Sequence, residues 1–169
     1  VYQRLIFTEA KKKYCGLLST GEIDIVGLEA VRGDWAGVAK KAQTKLIEII
    51  LREEDVGRAK AFVRQCVAQV LKGDVPKRDL VIWKTLTKPA EEYEVKAPHV
   101  EAAKIMKEKG WQPNVGDKIG YIVVKGDGKL YQRVRPFAFM KGFEPDYNYY
   151  AEKQVVPAAA RVLSIYDVD

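Results

Sequence analysis

Lysine, threonine and tyrosine come together at several places in this chain, in patterns suited to holding a polyanion. The first is Lys11-Lys12-Lys13-Tyr14, between two short apolar stretches. On a strand, side chains alternate faces, so Lys12 and Tyr14 would share one side and Lys11 and Lys13 the other. A lysine beside a tyrosine can donate to the acceptors that A·T and G·C pairs both present in a minor groove, a sequence-tolerant contact. On composition alone, the same run more often serves as a solvated edge that blocks unwanted pairing. The second place, Trp83-Lys84-Thr85-Leu86-Thr87-Lys88, interleaves ammonium groups with hydroxyls, as phosphate oxygens require; many polar loops share that composition. The third sets Lys125 and Lys129 around Gly126-Asp127-Gly128. It lacks the Gly-Lys-Ser/Thr ending of a phosphate-binding P-loop and reads as a charged hairpin turn. His99 follows Pro98 at an expected helix start, where it could hold a phosphate or stand as an ordinary first-turn polar residue.

Residues for bond-making chemistry are sparse. There is one histidine, no C-x-x-C pair, no nucleophile elbow and no Gly-rich dinucleotide fingerprint. The pairs Glu53-Glu54 and Glu91-Glu92 fall in expected connectors, and Asp24 is a lone carboxylate. The chain is therefore expected to catalyse nothing alone and to bind no metal itself. With 29 Lys and Arg against 23 Asp and Glu, the net charge of +6 makes DNA, RNA or an anionic membrane plausible partners without demanding one. No apolar run approaches the roughly 18–20 residues of a membrane span, so the expectation is a soluble, cytoplasmic protein. Cys15 and Cys66 read as small buried hydrophobes in a reducing compartment rather than as a disulfide. The first residue is Val1, which suggests a fragment, a processed product or a trimmed chain.

The elements that would position these groups can be read from the hydrophobic pattern. Residues 2–8 suit a strand, and Tyr14–Leu18 and Ile23–Val26 flank a Gly21 turn as a β-hairpin. From Asp34, taken as an N-cap, Trp35, Val38, Ala39, Ala42, Leu46, Ile49 and Ile50 recur at helical spacing. A second helix opens at Asp55 and stops at Gly73, and the two are expected to pair as a helical hairpin. Leu80–Trp83 is a short strand leading into a polar loop, and Pro98 starts a helix ending near Gly110. Ile119–Val124 and Leu130–Val134 form another hairpin, and Asp146 opens a last helix. The fold class is α+β: a short β segment followed by a mostly helical lobe with small β-hairpins, the seam lying near residue 30.

Taken together, "TEAKKKYCGLL", "IDIVGLEAVRGDW", "VIWKTLTK", "APHVEAAK", "GDKIGYIVVKG" and "YYAEKQVVPAAARVL" resemble, in order and over essentially the whole chain, the C-terminal end of the archaeal family-B DNA polymerases. The first contains the K-K-x-Y element of the palm–thumb junction in that family. The resemblance implies a palm segment over 1–30 and a thumb over 31–169. It also implies that the aspartates holding the catalytic Mg2+ ions lie in upstream D-x-x-S-L-Y-P and D-T-D motifs, neither of which is present here. The implied partners are primer–template DNA and a larger polymerase chain or segment carrying the exonuclease, the fingers and the catalytic palm. A sliding clamp would be reached through the complete enzyme.

Residue by residue, the resemblance implies that Lys12 and Tyr14, supported by Lys13, reach the minor groove near the primer end. Arg32, Lys84, Thr85, Thr87 and Lys88 would meet the backbone, and His99, Lys118, Lys125 and Lys129 would line the duplex. One departure is Gly33, where many relatives carry a second arginine; another is that no clamp-binding tail follows Asp169. The competing reading is a stand-alone nucleic-acid-binding or scaffold domain that never joins a catalytic chain.

Overall fold

The computed structural model describes residues 1–8 and 11–166. The chain divides into two compact units: Val1–Val75 with Tyr147–Asp169, and Pro76–Asp146. The fold is α+β, with two antiparallel sheets of three strands each among many helical segments.

In the first unit, β1 (Tyr2–Phe7), β2 (Tyr14–Leu18) and β3 (Ile23–Val26) form a sheet in sequence order. Its register pairs Phe7 with Tyr14 and Tyr14 with Val26. Period-two alternation sends Ile6, Cys15 and Leu17 into the core. There they meet Leu46, Ile47, Ile49, Ile50 and Leu51 of the first helical stretch, with Ala159 and Val162 near the chain's end. Enclosing each such aliphatic side chain stabilises the fold by about 1.5–3 kcal/mol.

That first helical stretch differs from the sequence expectation at its start. Helix α1 spans Gly37–Glu48 with Ala36 as its N-cap, so Asp34 lies too early to cap it and pairs with Arg32 instead. The helix continues as a π-helical turn over Ile49–Glu53, closed by Glu54 in the left-handed region at φ 53°. Helix α2 (Val56–Leu71) begins as expected: the Asp55 carboxylate accepts from the Arg58 N–H at 2.9 Å. Gly73, at φ +75°, ends it.

The expected α1–α2 hairpin is a minor contact. The last helical run consists of α4 (Tyr147–Tyr149), a π-helical turn over Tyr150–Val155, and α5 (Val156–Leu163). Helix α1 packs chiefly against α5 and that π-helical turn. Small Ala158 and Ala159 let it do so: the Gln43 amide of α1 reaches the Ala158 carbonyl at 2.8 Å. On α2 only Ala59 and Val70 are fully enclosed, while Leu71 is exposed.

In the second unit, β4 (Ile82–Thr85), β5 (Lys118–Val123) and β6 (Val134–Pro136) pair antiparallel, and α3 (Pro98–Glu108) covers the sheet. Two expectations shift here. The first strand runs from Ile82 to Thr85, so Lys84 and Thr85 belong to the sheet and not to a loop. Leu130–Gln132 is a 3-10 turn, which moves the partner strand to Val134. Asp146 opens the last helical run, as expected, and its carboxylate binds Arg133 at 2.6 Å.

Candidate nucleic-acid interface

The K-K-x-Y element is a turn, not a continuation of a strand. Lys12 adopts φ 61°, which breaks side-chain alternation, so the proposed shared face of Lys12 and Tyr14 does not arise from strand geometry. The alternation begins only at Tyr14. The turn is tied from both sides. The Thr8 hydroxyl donates to the Lys13 carbonyl at 2.7 Å, and the Thr8 N–H reaches the same oxygen at 3.2 Å. Gly27, at φ +69°, lets the Lys12 carbonyl come close: a Cβ there would stand 2.3 Å from that oxygen. The result is an exposed Lys11 and Lys12, a half-buried Lys13, and a Tyr14 ring resting 5.8 Å from the Phe7 ring. Glu9 and Ala10, part of the quoted "TEAKKKY", fall outside the described residues.

Tyr2, Leu5 and Gly16 continue the same side of the sheet. The Tyr2 hydroxyl donates to Asp24 at 2.7 Å, and that carboxylate holds the phenol's pKa up at about 12. Asp24 is therefore engaged by a neighbour. Among the described residues there is no group of three or more His, Cys, Asp or Glu side chains able to hold a metal, so this donor set does not fit a pair of divalent ions. No described helix is long and apolar enough to cross a membrane. Cys15 and Cys66 are both free thiols; burial pushes Cys15 up to about 12 and raises Cys66 as well. Cys66 is only half-buried, a shallower position than that of the small buried hydrophobe expected there.

Arg32 sits in the link from the sheet to α1, and its guanidinium meets Asp34 at 2.9 Å. Two buried glutamines pin this link. The Gln43 carbonyl accepts from the Ala30 N–H at 2.8 Å while its amide donates to Glu29 at 2.9 Å. The Gln154 carbonyl accepts from the Ala36 N–H at 2.9 Å. Glu29, 1% exposed, also takes Arg161 at 3.3 Å, so its buried charge has two partners. Gly33 faces open space, with nothing within 4 Å of a Cβ built there.

In the second unit, Lys84 and Thr85 are both exposed, on opposite faces of β4, and Thr85 pairs across the sheet with Lys118 of β5. Directly opposite residues share a face, so Thr85 and Lys118 form one polar surface. The chain then dips at Leu86, which is enclosed and bonded through its backbone to Gly116 and Asp117, before Thr87 and Lys88 emerge. Tyr93 holds both. Its hydroxyl oxygen accepts the Thr87 N–H at 2.9 Å and lies 3.1 Å from the Thr87 hydroxyl. The Lys88 ammonium stands 5.2 Å from the centre of its ring. These donors, the Thr87 bonds first, lower the phenol's pKa.

His99 is 5% exposed and meets Tyr93 edge-on at 5.7 Å, so its ring is not offered to solvent as a phosphate ligand. Burial, and secondarily the charge of Lys84, lower its pKa, favouring the neutral imidazole. Lys125 is paired with Glu144 at 3.2 Å, and the Lys129 N–H donates to Gln132 at 2.7 Å to open the 3-10 turn. These two lysines lie past the far end of β5 from Lys118. At about 3.3 Å per residue that separation is on the order of 20 Å. The second unit thus gathers Lys84, Thr85, Thr87, Lys88 and Lys118 at one end of its sheet and leaves Lys125 and Lys129 at the other. Sequence reasoning missed Gly27, Gln43, Tyr93 and Gln154. Of these only Gly27, immediately after a strand, carried a local signal.

Comparison with known proteins gives this geometry a lineage. The family model described as DNA polymerase family B matches residues 1–166. DNA polymerase 2 of Aeropyrum pernix is 49% identical over 168 residues, which is 99% of this chain and 21% of that protein. The DNA polymerase of Archaeoglobus fulgidus is 35% identical, covering 96% of this chain and 23% of its own length. The solved family B DNA polymerase from the hyperthermophilic archaeon Pyrobaculum calidifontis superposes with a TM-score of 0.83 at 41% identity, over 99% of this chain and 22% of that one. The chain thus spans about a fifth of the length of these relatives. It belongs to DNA polymerase family B.

Proposed function

We propose that the chain is the palm-end and thumb portion of an archaeal DNA-directed DNA polymerase, with palm strands over 1–30 and thumb over 31–169. It grips the primer–template duplex behind the active site of a replicative enzyme in the cytoplasm. The catalytic aspartates, their Mg2+ ions, the fingers and the exonuclease are supplied by another segment or chain, and any sliding clamp is reached through that complete enzyme. The observation that carries this reading is the family match over residues 1–166 of a chain whose exposed polar rows are built from Lys, Thr and Tyr.

In this reading Lys12, Lys13 and Tyr14 act near the primer end, and Arg32, Lys84, Thr85, Thr87, Lys88 and Lys118 meet backbone phosphates. Lys125 and Lys129 line the duplex more weakly, because Lys125 must first leave Glu144. The chemistry of such contacts is positional: charge and hydroxyl donors neutralise phosphates without reading sequence.

The test is binding of this chain to a primer–template duplex and to single strands of equal length across a salt series. Preference for the duplex, falling steeply with salt, is expected. Equal affinity for both at every salt concentration sinks the proposal. Addition of the chain to a polymerase lacking its thumb should restore primer extension, and continued inactivity with a folded chain would favour a stand-alone binding domain.

A further inference from the structure

The polar loop after β4 is usually the kind of segment that wanders, yet here it is built onto a pedestal. Leu86 is enclosed beneath it, and its backbone N–H and carbonyl are both bonded, to Asp117 and Gly116. One residue on, the Thr87 N–H donates to the Tyr93 hydroxyl at 2.9 Å. The ring of Tyr93 lies under the Lys88 ammonium, which orients the long side chain while leaving its outer N–H donors free of the ring. Tyr93 itself is fixed by the buried His99, whose ring meets it at 90° from the first turn of α3. Below these residues, Glu91 pairs with Lys107 of α3, so the short turn that carries Tyr93 is anchored to the helix as well.

We propose that Tyr93, braced by His99, is a positioning residue that holds Thr87 and Lys88 ready for adjacent backbone phosphates. The inference rests on the duplex-gripping function proposed above. Holding the loop in its binding geometry lowers the ordering cost that a free loop pays at each encounter. Lys84 and Thr85 need no such support, being fixed by the β4–β5 ladder. The loop therefore contributes through Tyr93 what the strand contributes through its own hydrogen bonds. His99 belongs to this device as a brace, which accounts for a polar ring placed at a helix start and then covered.

The experiment measures affinity for a primer–template duplex against salt concentration for the chain and five variants. Lys88→Ala should flatten the log–log salt slope by about one, the value of one phosphate contact. Tyr93→Leu should flatten it by a similar amount, and combining the two should lose little more, because both remove the same contact. Tyr93→Phe keeps the ring and loses the acceptor. It should weaken binding several-fold with the slope nearly intact, and hydrogen exchange at the Thr87 amide should quicken. Thermal midpoints within a few degrees of the parent separate this from unfolding, and if Tyr93→Leu fails to fold, the Tyr93→Phe arm decides. Additive losses in the double variant, or unchanged affinity and Thr87 exchange in Tyr93→Phe, overturn the proposal. Lys84→Ala is the control for the functional reading. If neither it nor Lys88→Ala changes the slope, the duplex-gripping function fails, and the pedestal proposal falls with it.

Discussion

Replacing Gln43 with Met should be among the most damaging conservative substitutions in the first unit. Gln43 is fully buried and uses both ends of its amide: the oxygen takes the Ala30 N–H, and the nitrogen serves Glu29 and the Ala158 carbonyl. Met fills nearly the same volume but supplies none of these bonds. The Glu29 carboxylate, 1% exposed, would keep only Arg161. Losing a hydrogen bond to a buried charged group costs about 1.5–3 kcal/mol, and the half-buried Ala30 N–H adds about 1 kcal/mol. The expected total is roughly 3 kcal/mol, a large share of the 5–15 kcal/mol that typically holds a domain together. In a chain of this size it would lower the midpoint by about 6–12 °C. Glu29→Gln is the informative companion. It keeps an acceptor for Gln43 and frees Arg161, which is already partly exposed, so it should cost only about 1 kcal/mol. The double variant should cost less than the sum, since the two side chains share a bond. Urea denaturation of the three variants measures all of this. A cost below about 1 kcal/mol for Gln43→Met would show that Glu29 does not depend on the amide.

Gly33→Arg, entering open space, should steepen the salt dependence of duplex binding by about 0.9 in log–log slope, and an unchanged slope would remove the 32–34 link from the interface. Gly27→Ala meets both a left-handed φ and the Lys12 carbonyl, so it should cost at least about 2 kcal/mol. Gly21→Ala, with φ +91° and empty space around it, should cost only about 1 kcal/mol; equal costs in urea denaturation would argue against the close approach at Lys12. The lowered pKa of His99 means that the unfolded chain takes up its proton more readily than the folded one. Stability from this group is therefore complete above its ordinary value of 6.5 and is lost as pH falls from there toward the lower folded value. His99→Phe should show a smaller loss of thermal midpoint between neutral and mildly acidic pH than the parent, and identical pH profiles would refute it.

Local patterns carried much of the fold. The first hairpin, the Asp55 cap, the Pro98 helix start and the Gly73 stop all rest on interactions within a few residues, and each is present. Local patterns mislead where the deciding partner is distant in sequence. Helix α1 pairs with α5, not with its neighbour α2, because Ala158 and Ala159 leave room that no local pattern announces. Asp34 looked like a cap because it precedes an apolar run, but its charge is taken by Arg32. The lysine run looked extended until Lys12 turned out to need a left-handed backbone, permitted by the missing side chain of Gly27. At the candidate interface, residue types were legible as polyanion chemistry. Their supports were not, since Gln43, Tyr93 and Gln154 act through long-range or loop-closing hydrogen bonds.

The first unit is written in two pieces, with the whole of the second unit encoded between them. At a synthesis rate of 5–20 residues per second, the apolar stripe of α1 waits on the order of 5–20 s before α5 emerges to cover it. The second unit, being contiguous, can fold during that interval. The two ends of the break also lie together: a Cβ on Gly73 would stand 3.1 Å from the Tyr147 ring, so the break in the first unit opens and closes between neighbours. Its closure cost is thus independent of what is encoded inside the break, provided the ends stay adjacent. That makes residues 76–146 a natural cassette. A short linker from Gly73 to Tyr147 should leave a self-sufficient first unit, and another family member's cassette could be carried on the same splice.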